Sequence, residues 1–155
     1  MNQEFRDAAI FGDLDTLRRL QASDAELIHE TDKYKFTALH EAVGEHCTEV
    51  VRFLLESGAN PNAQNDTGHA PLHLAAYPEH VGLLVKHGAD LNLQTNDAAT
   101  PLATHASEQD RADVMLQLLE LGADPNMPSD SGTPLSIAQQ RQEYDKVEIL
   151  SQYLE

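Results

Sequence analysis

Eight histidines, one cysteine and twenty-six acidic side chains give this chain of 155 residues the raw material for metal or acid–base chemistry. Their spacing does not organise it. A structural zinc site draws its ligands as two closely spaced pairs, and His46-Cys47 has no second pair to complete it. No Ser/His/Asp or Cys/His set can be singled out by spacing as a nucleophile with its base, and no glycine-rich phosphate loop is present. His40 and His73 stand apart from the rest, because each directly follows a Leu and the two lie 33 residues apart. Imidazoles repeated in that setting are expected to be buried and hydrogen-bonded, since buried polar groups need partners. His105 breaks the interval and is expected to be a local adjustment rather than a ligand. No catalytic residue, cofactor site or metal site follows.

The interval belongs to a larger pattern. Thr37, Ala70, Thr100 and Thr133 are spaced by 33, 30 and 33 residues. Each opens a related tetrapeptide: Thr37-Ala-Leu-His40, Ala70-Pro-Leu-His73, Thr100-Pro-Leu-Ala103 and Thr133-Pro-Leu-Ser136. Three segments close alike, as Gly58-Ala-Asn-Pro-Asn62, Gly88-Ala-Asp-Leu-Asn92 and Gly122-Ala-Asp-Pro-Asn126. In period and in its Thr-Pro-Leu-His-x-Ala signature, the pattern resembles the ankyrin repeat over nearly the whole chain. The resemblance implies an all-α solenoid of stacked helix-turn-helix units with β-hairpin-like finger loops. It also implies that His40 and His73 tie neighbouring repeats together, a tie absent where Ala103 and Ser136 stand. Asn62, Asn92 and Asn126 are expected to hold the finger bases through side-chain to backbone bonds. The same family position is sometimes a substrate for an asparagine hydroxylase.

The elements that carry these residues read as five units, approximately 1–31, 32–64, 65–94, 95–127 and 128–155, in a single domain. The first has Phe5, Ala8 and Ala9 on a short helix, a break at Gly12, and no finger, as a capping unit would. Leu27 and Ile28 are expected to tuck the following connection onto the core. In the second, Leu39, Ala42 and Val43 form one buried stripe, and Val50, Val51, Phe53, Leu54 and Leu55 another at helical spacing. Lys35 occupies a finger place that the family fills with Gly, so its turn is expected to be strained or differently shaped; Ala98 repeats the exception. The third unit loses three residues between its helices, and Pro78 fits the first turn of its second helix. The fourth gains one residue between Ser107 and Ala112, and the fifth shortens its finger. Val147, Ile149, Leu150 and Tyr153 are expected to line a carboxy-terminal cap. Degenerate units at both ends argue against a fragment cut from a longer array. Leu39, Leu72, Leu102 and Leu135 are expected to be core positions, each costing roughly 2–5 kcal/mol when replaced by Ala.

Charge bounds the partners. Ten bases against twenty-six acids give a formal net charge of −16, which repels phosphate backbones and anionic membrane surfaces but steers in a basic protein. The longest apolar run falls short of the roughly 18 residues of a membrane span. Met1 to Asp7 is polar, without a signal-peptide core, and the single Cys47 fits a reducing compartment, so a cytoplasmic monomer is expected. The resemblance implies partner binding in the concave groove of finger tips and inner helices. By register this selects Lys33, Tyr34, Phe36, Gly44 and Glu45, then Asp66, Thr67, His69, Tyr77 and Pro78, then Asn96, Asp97, Ala99, Ser107 and Glu108, and finally Gln140 and Arg141. Tyr77 and Pro78, beside the deletion, are expected to form a mid-groove notch that sets specificity. The expected function is non-catalytic binding of a basic protein, and its sharpest form is an immunity protein that caps a basic toxin domain. A regulatory scaffold or adaptor and a host-directed effector are the alternatives.

Overall fold

A computed structural model describes residues 1–154. Among them, helices come in pairs: α1 (Gln3–Phe11) with α2 (Leu14–Ser23), α3 (Ala38–Ala42) with α4 (Thr48–Glu56), and α5 (Pro71–Leu74) with α6 (Pro78–Lys86). Then follow α7 (Pro101–Ser107) with α8 (Ala112–Glu120), and α9 (Pro134–Gln140) with α10 (Tyr144–Gln152). A 3-10 turn, Ala25–His29, connects the first pair to the second and buries Leu27 and Ile28 as expected. Odd-numbered helices stack on odd-numbered ones along the chain and even on even, giving two parallel layers. No strand is present among the described residues, apart from an isolated bridge between Ser129 and Gly132.

Local chemistry explains each start. Thr37, Thr100 and Thr133 accept, on their hydroxyls, the third backbone N–H of the helix that follows, which satisfies a donor the helix leaves free. Ala70 has no such oxygen and makes no side-chain cap, although His73 Nδ1 accepts the Ala70 N–H (3.1 Å) just as His40 Nδ1 accepts that of Thr37 (3.1 Å). Pro71, Pro101, Pro134 and Pro78 all sit in a first turn, where a missing N–H is harmless. Gly12 ends α1 in the left-handed conformation.

The core runs the length of the stack. Phe5, Leu17, Leu39, Val50, Val51, Leu54, Leu72, Leu84, Leu102, Met115, Leu118 and Leu150 are all at least 98 % buried. Three expectations need correction. Leu135 is half-buried, so the four signature leucines are not equivalent. Phe53 also packs only at the edge of the core. In α10, Val147 and Ile149 are half-buried and Tyr153 is exposed, while Lys146 takes the inner position beside Leu150.

Fingers of residues 32–36, 65–69, 95–99 and 129–132 precede α3, α5, α7 and α9. Lys35 (φ 62°), Gly68 (83°) and Ala98 (59°) share a left-handed place in the first three fingers, each closed by an N–H to O bond over four residues, so the two non-glycine residues strain that turn rather than reshape it. The shorter last finger closes as a bridge between Ser129 and Gly132 instead. Gly68 has a second duty, because a Cβ there would lie 2.6 Å from Asn96 N in the next finger. Successive fingers are joined by Asp66 N–H to Tyr34 O (3.0 Å), Asn96 N–H to Thr67 O (3.1 Å) and Asp130 N–H to Asp97 O (3.0 Å).

Leu102 is completely buried, so Leu102→Ala should cost about 2–5 kcal/mol, and half-buried Leu135→Ala clearly less. Urea unfolding checks both, and an unchanged midpoint for Leu102→Ala would contradict the proposed packing.

Candidate functional site

Four hollows follow the fingers in order. The first, about 280 Å³, lies between Arg6, Lys33, Tyr34, Phe36 and Glu41. The second, about 260 Å³, is lined by Tyr34, Phe36, Asn65, Asp66 and Thr67. The third, about 370 Å³, lies between Thr67, His69, Asn96 and Asp97. The fourth, about 120 Å³, reaches from His69 and Asp97 to Ser107 on α7 and to Ser129 and Ser131 in the last finger. Each shares a residue with the next, so together they form one trough along the finger tips.

Aromatic surface dominates one end of it. Tyr34 is 54 % exposed, with Lys33 Nζ over its ring at 4.8 Å from the centroid. Phe36 is half-buried, its ring 5.4 Å from that of the buried His40. Lys35 pairs with Asp66 at 3.6 Å, and Arg6 pairs with Glu41. At the other end, the Thr95 hydroxyl donates to Asp97 Oδ1 at 2.5 Å and holds that carboxyl below its usual pKa.

Beneath the trough, the histidines work as donors between repeats. His40 Nδ1 accepts from Thr37 N–H (3.1 Å), which leaves Nε2–H to donate to His69 O (3.0 Å) in the next finger. His73 repeats this with Ala70 N–H (3.1 Å) and Ala99 O (3.2 Å). Burial pushes both imidazoles to lower pKa, that of His73 to about 4.

The three-residue deletion explains two more histidines. Helix α5 stops after four residues where α7 has seven. Ala76 N–H, which would close the next turn onto Leu72 O, bonds instead to Val43 O in the preceding unit. Leu72 O is then met by His105 Nε2 at 3.1 Å. His80, fully buried on α6, brings its Nδ1 to the same Val43 O at 3.0 Å. Lys146 repeats that cap two units later, donating to His105 O (3.2 Å) and to Glu108 O beside the inserted residue. Sequence reasoning missed both His80 and Lys146. They align with Val50 and Val114, at the first buried position of the second helix, and a polar residue in that apolar register was the available signal.

Lys33, Tyr34, Phe36, Asp66, Thr67, His69, Asn96, Asp97, Ala99 and Ser107 therefore come together in the trough. The helix-turn residues do not join them. Tyr77 caps α6 and packs edge-on to the rings of His46 (4.7 Å) and His80 (5.2 Å), with Pro78 beside it in the first turn. Gly44 and Glu45 are exposed in the α3–α4 turn, and Gln140 and Arg141 at the end of α9. Glu108 lies 3.5 Å from His105 Nδ1 and 3.3 Å from Arg111 Nε, and the His105 contact lowers its pKa first. Asn62 and Asn92 bond to backbone of the following unit rather than to their own finger bases: Asn62 to Gly88 O and Asp90 N–H, and Asn92 to Asp124 N–H. Among the described residues, no three His, Cys, Asp or Glu side chains converge where an ion could sit.

Residues 5–95 match the model of a family described as ankyrin repeats, in three copies. Identity is 35 % over 123 residues to the transient receptor potential cation channel subfamily A member 1 of Homo sapiens, covering 76 % of this chain and 11 % of that protein. Ankyrin repeat and SOCS box protein 6 of Mus musculus is 38 % identical over 90 residues, covering 55 % and 22 %. A putative ankyrin repeat protein of Fowlpox virus (strain NVSL) is 30 % identical over 147 residues, 88 % of this chain and 43 % of its own length. The chain thus spans less than half of each relative.

The buried imidazoles tie stability to pH with a definite sign. An unfolded histidine titrates near pH 6.5, whereas His73 resists protonation down to about 4, so within that window the unfolded chain binds the extra proton. Stability is fully present above pH 6.5 and falls as the pH drops toward 4. For His73 the loss is on the order of 3 kcal/mol at most. Urea midpoints measured across this range should show the slope, and His73→Gln should flatten it while lowering stability at neutral pH. A His73→Gln slope as steep as the parent's would contradict the assignment.

Proposed function

The chain belongs to the ankyrin-repeat family, and from that premise we propose that it binds a basic protein along its finger trough without catalysing a reaction. Ankyrin repeats are protein-interaction modules, and the proposal adds the surface and the chemistry of the partner. The observation that carries it is the trough itself, continuous over all four fingers, with an exposed Tyr34 at one end and an ionised Asp97 toward the other. Exposed aromatics are frequent anchors of binding energy. A formal charge of −16 favours a basic partner and speeds its encounter.

An inhibitor that caps a basic toxin domain is the most specific form of this reading, supported by size and charge alone. The central notch at Tyr77 receives less support, because its ring is engaged by His46 and His80 on the helix-turn side. Specificity is assigned instead to the finger tips. None of the described helices is long and apolar enough to cross a membrane.

Affinity capture from the native cell, followed by kinetics on the purified pair, tests the reading. One basic partner is expected, with an association rate that falls as salt rises and a Kd weakened about tenfold or more by Tyr34→Ala. Salt-independent binding, or indifference to Tyr34→Ala, would contradict it. Turnover of any substrate by the protein alone would overturn the non-catalytic assignment.

A further inference from the structure

The fourth hollow has a specific origin. In the two preceding units a histidine follows the signature Leu and fills the space under the next finger, donating to His69 O or Ala99 O. In the fourth unit that position is Ala103. The equivalent carbonyl, Gly132 O, is satisfied within its own finger by Ser129 N–H (2.9 Å) and the Ser129 hydroxyl (3.0 Å). The volume of an imidazole is therefore left empty, and a hollow of about 120 Å³ stands in its place.

Three polar groups of its lining face it as acceptors. The Ser107 hydroxyl donates to Thr104 O (2.7 Å), the Ser129 hydroxyl to Gly132 O, and the Thr95 hydroxyl to Asp97. With these protons committed, Ser107, Ser129 and Asp97 present lone pairs only. Thr104 Oγ1, on the same wall, is shielded from solvent and has no partner. The floor is apolar, made by Ala103 and Ile137. A hollow this small is below the roughly 300 Å³ of small-molecule sites, and it suits a single side chain.

We propose that this hollow is a socket for one arginine of the partner. The inference rests on the finger-trough reading above and names its specificity element. The aliphatic stem lies on the apolar floor, and the guanidinium, with five donors in a fixed fork, meets acceptors spread over α7 and two fingers. A lysine ammonium offers three donors on a compact charge and reaches fewer of them. Two hollows along, beyond the one between Thr67, His69, Asn96 and Asp97, the hollow beside Tyr34 and Phe36 presents mostly apolar surface, so the partner segment carries an apolar side chain on the other side of His69 from the arginine.

Selection of phage-displayed linear peptides on the whole chain, followed by fluorescence polarisation with the purified winners, tests the socket. The expected winners share one arginine and an apolar residue at a fixed separation. Citrulline, which keeps the shape of arginine without its charge, should weaken binding about tenfold or more, and lysine several-fold. Asp97→Asn, which can still accept from Thr95, should weaken the arginine peptide about tenfold and the citrulline peptide hardly at all. Ala103→His, which refills the space as His73 does one unit earlier, should abolish the arginine preference while thermal melting confirms the fold. Winners that depend on Tyr34 but tolerate citrulline, or Asp97→Asn that leaves the arginine peptide unaffected, would overturn the socket and leave the trough intact. Winners indifferent to both Tyr34→Ala and Asp97→Asn would overturn the trough together with the socket.

Discussion

Short helices and tight fingers present backbone carbonyls at the junctions of this stack, and side chains of a neighbouring unit donate to them. A buried carbonyl without a donor costs about 1–3 kcal/mol, a large part of the total stability of a small domain. His40 and His73 meet finger carbonyls, His105 meets Leu72 O, His80 meets Val43 O, and Lys146 meets His105 O and Glu108 O. Each bond crosses from one repeat to a neighbour. Histidine abundance, which invites a metal or catalytic reading, is thus accounted for at four of eight positions by junction chemistry. Because every bond fixes the spacing of adjacent units, the shape of the trough above depends on them.

Where the junction donor changes, the surface changes with it. Histidine fills the space beneath the second and third fingers, donating to His69 O and Ala99 O. Alanine at 103 leaves the hollow beneath the fourth, and Ser129 takes over the carbonyl. A stabilising tie between repeats is exchanged for an acceptor-lined cavity in the groove. Fold and recognition therefore draw on the same register position, and its occupant decides which of the two it serves.

Periodicity made the stack legible from sequence, because a repeat of 30 to 33 residues with fixed Leu and Gly positions leaves little freedom in the fold. The side-by-side placement of the finger residues was legible for the same reason. That of the helix-turn residues was not, since length changes there alter local packing in ways a register cannot follow. Deletion of three residues shortened α5 and drew Tyr77 toward His46 and His80 instead of into the trough. Lys146 was not singled out among the residues of the capping helix, although its spacing of four from Leu150 puts both on one face. Leu135, a signature leucine, is only half-buried because α9 lies in the last stacked pair described. In each case the pattern fixed which helix formed, and the neighbour fixed what its side chains touched.

Photo-cross-linking addresses the finger trough most directly. A benzoylphenylalanine placed at Tyr34, an aromatic exchange at the exposed end of the trough, should form an adduct with the bound partner. The same group at Leu116, exposed on α8 in the other helical layer, should not. Adducts from position 116 without any from position 34 would place the partner on the opposite face and contradict the finger trough as the binding surface.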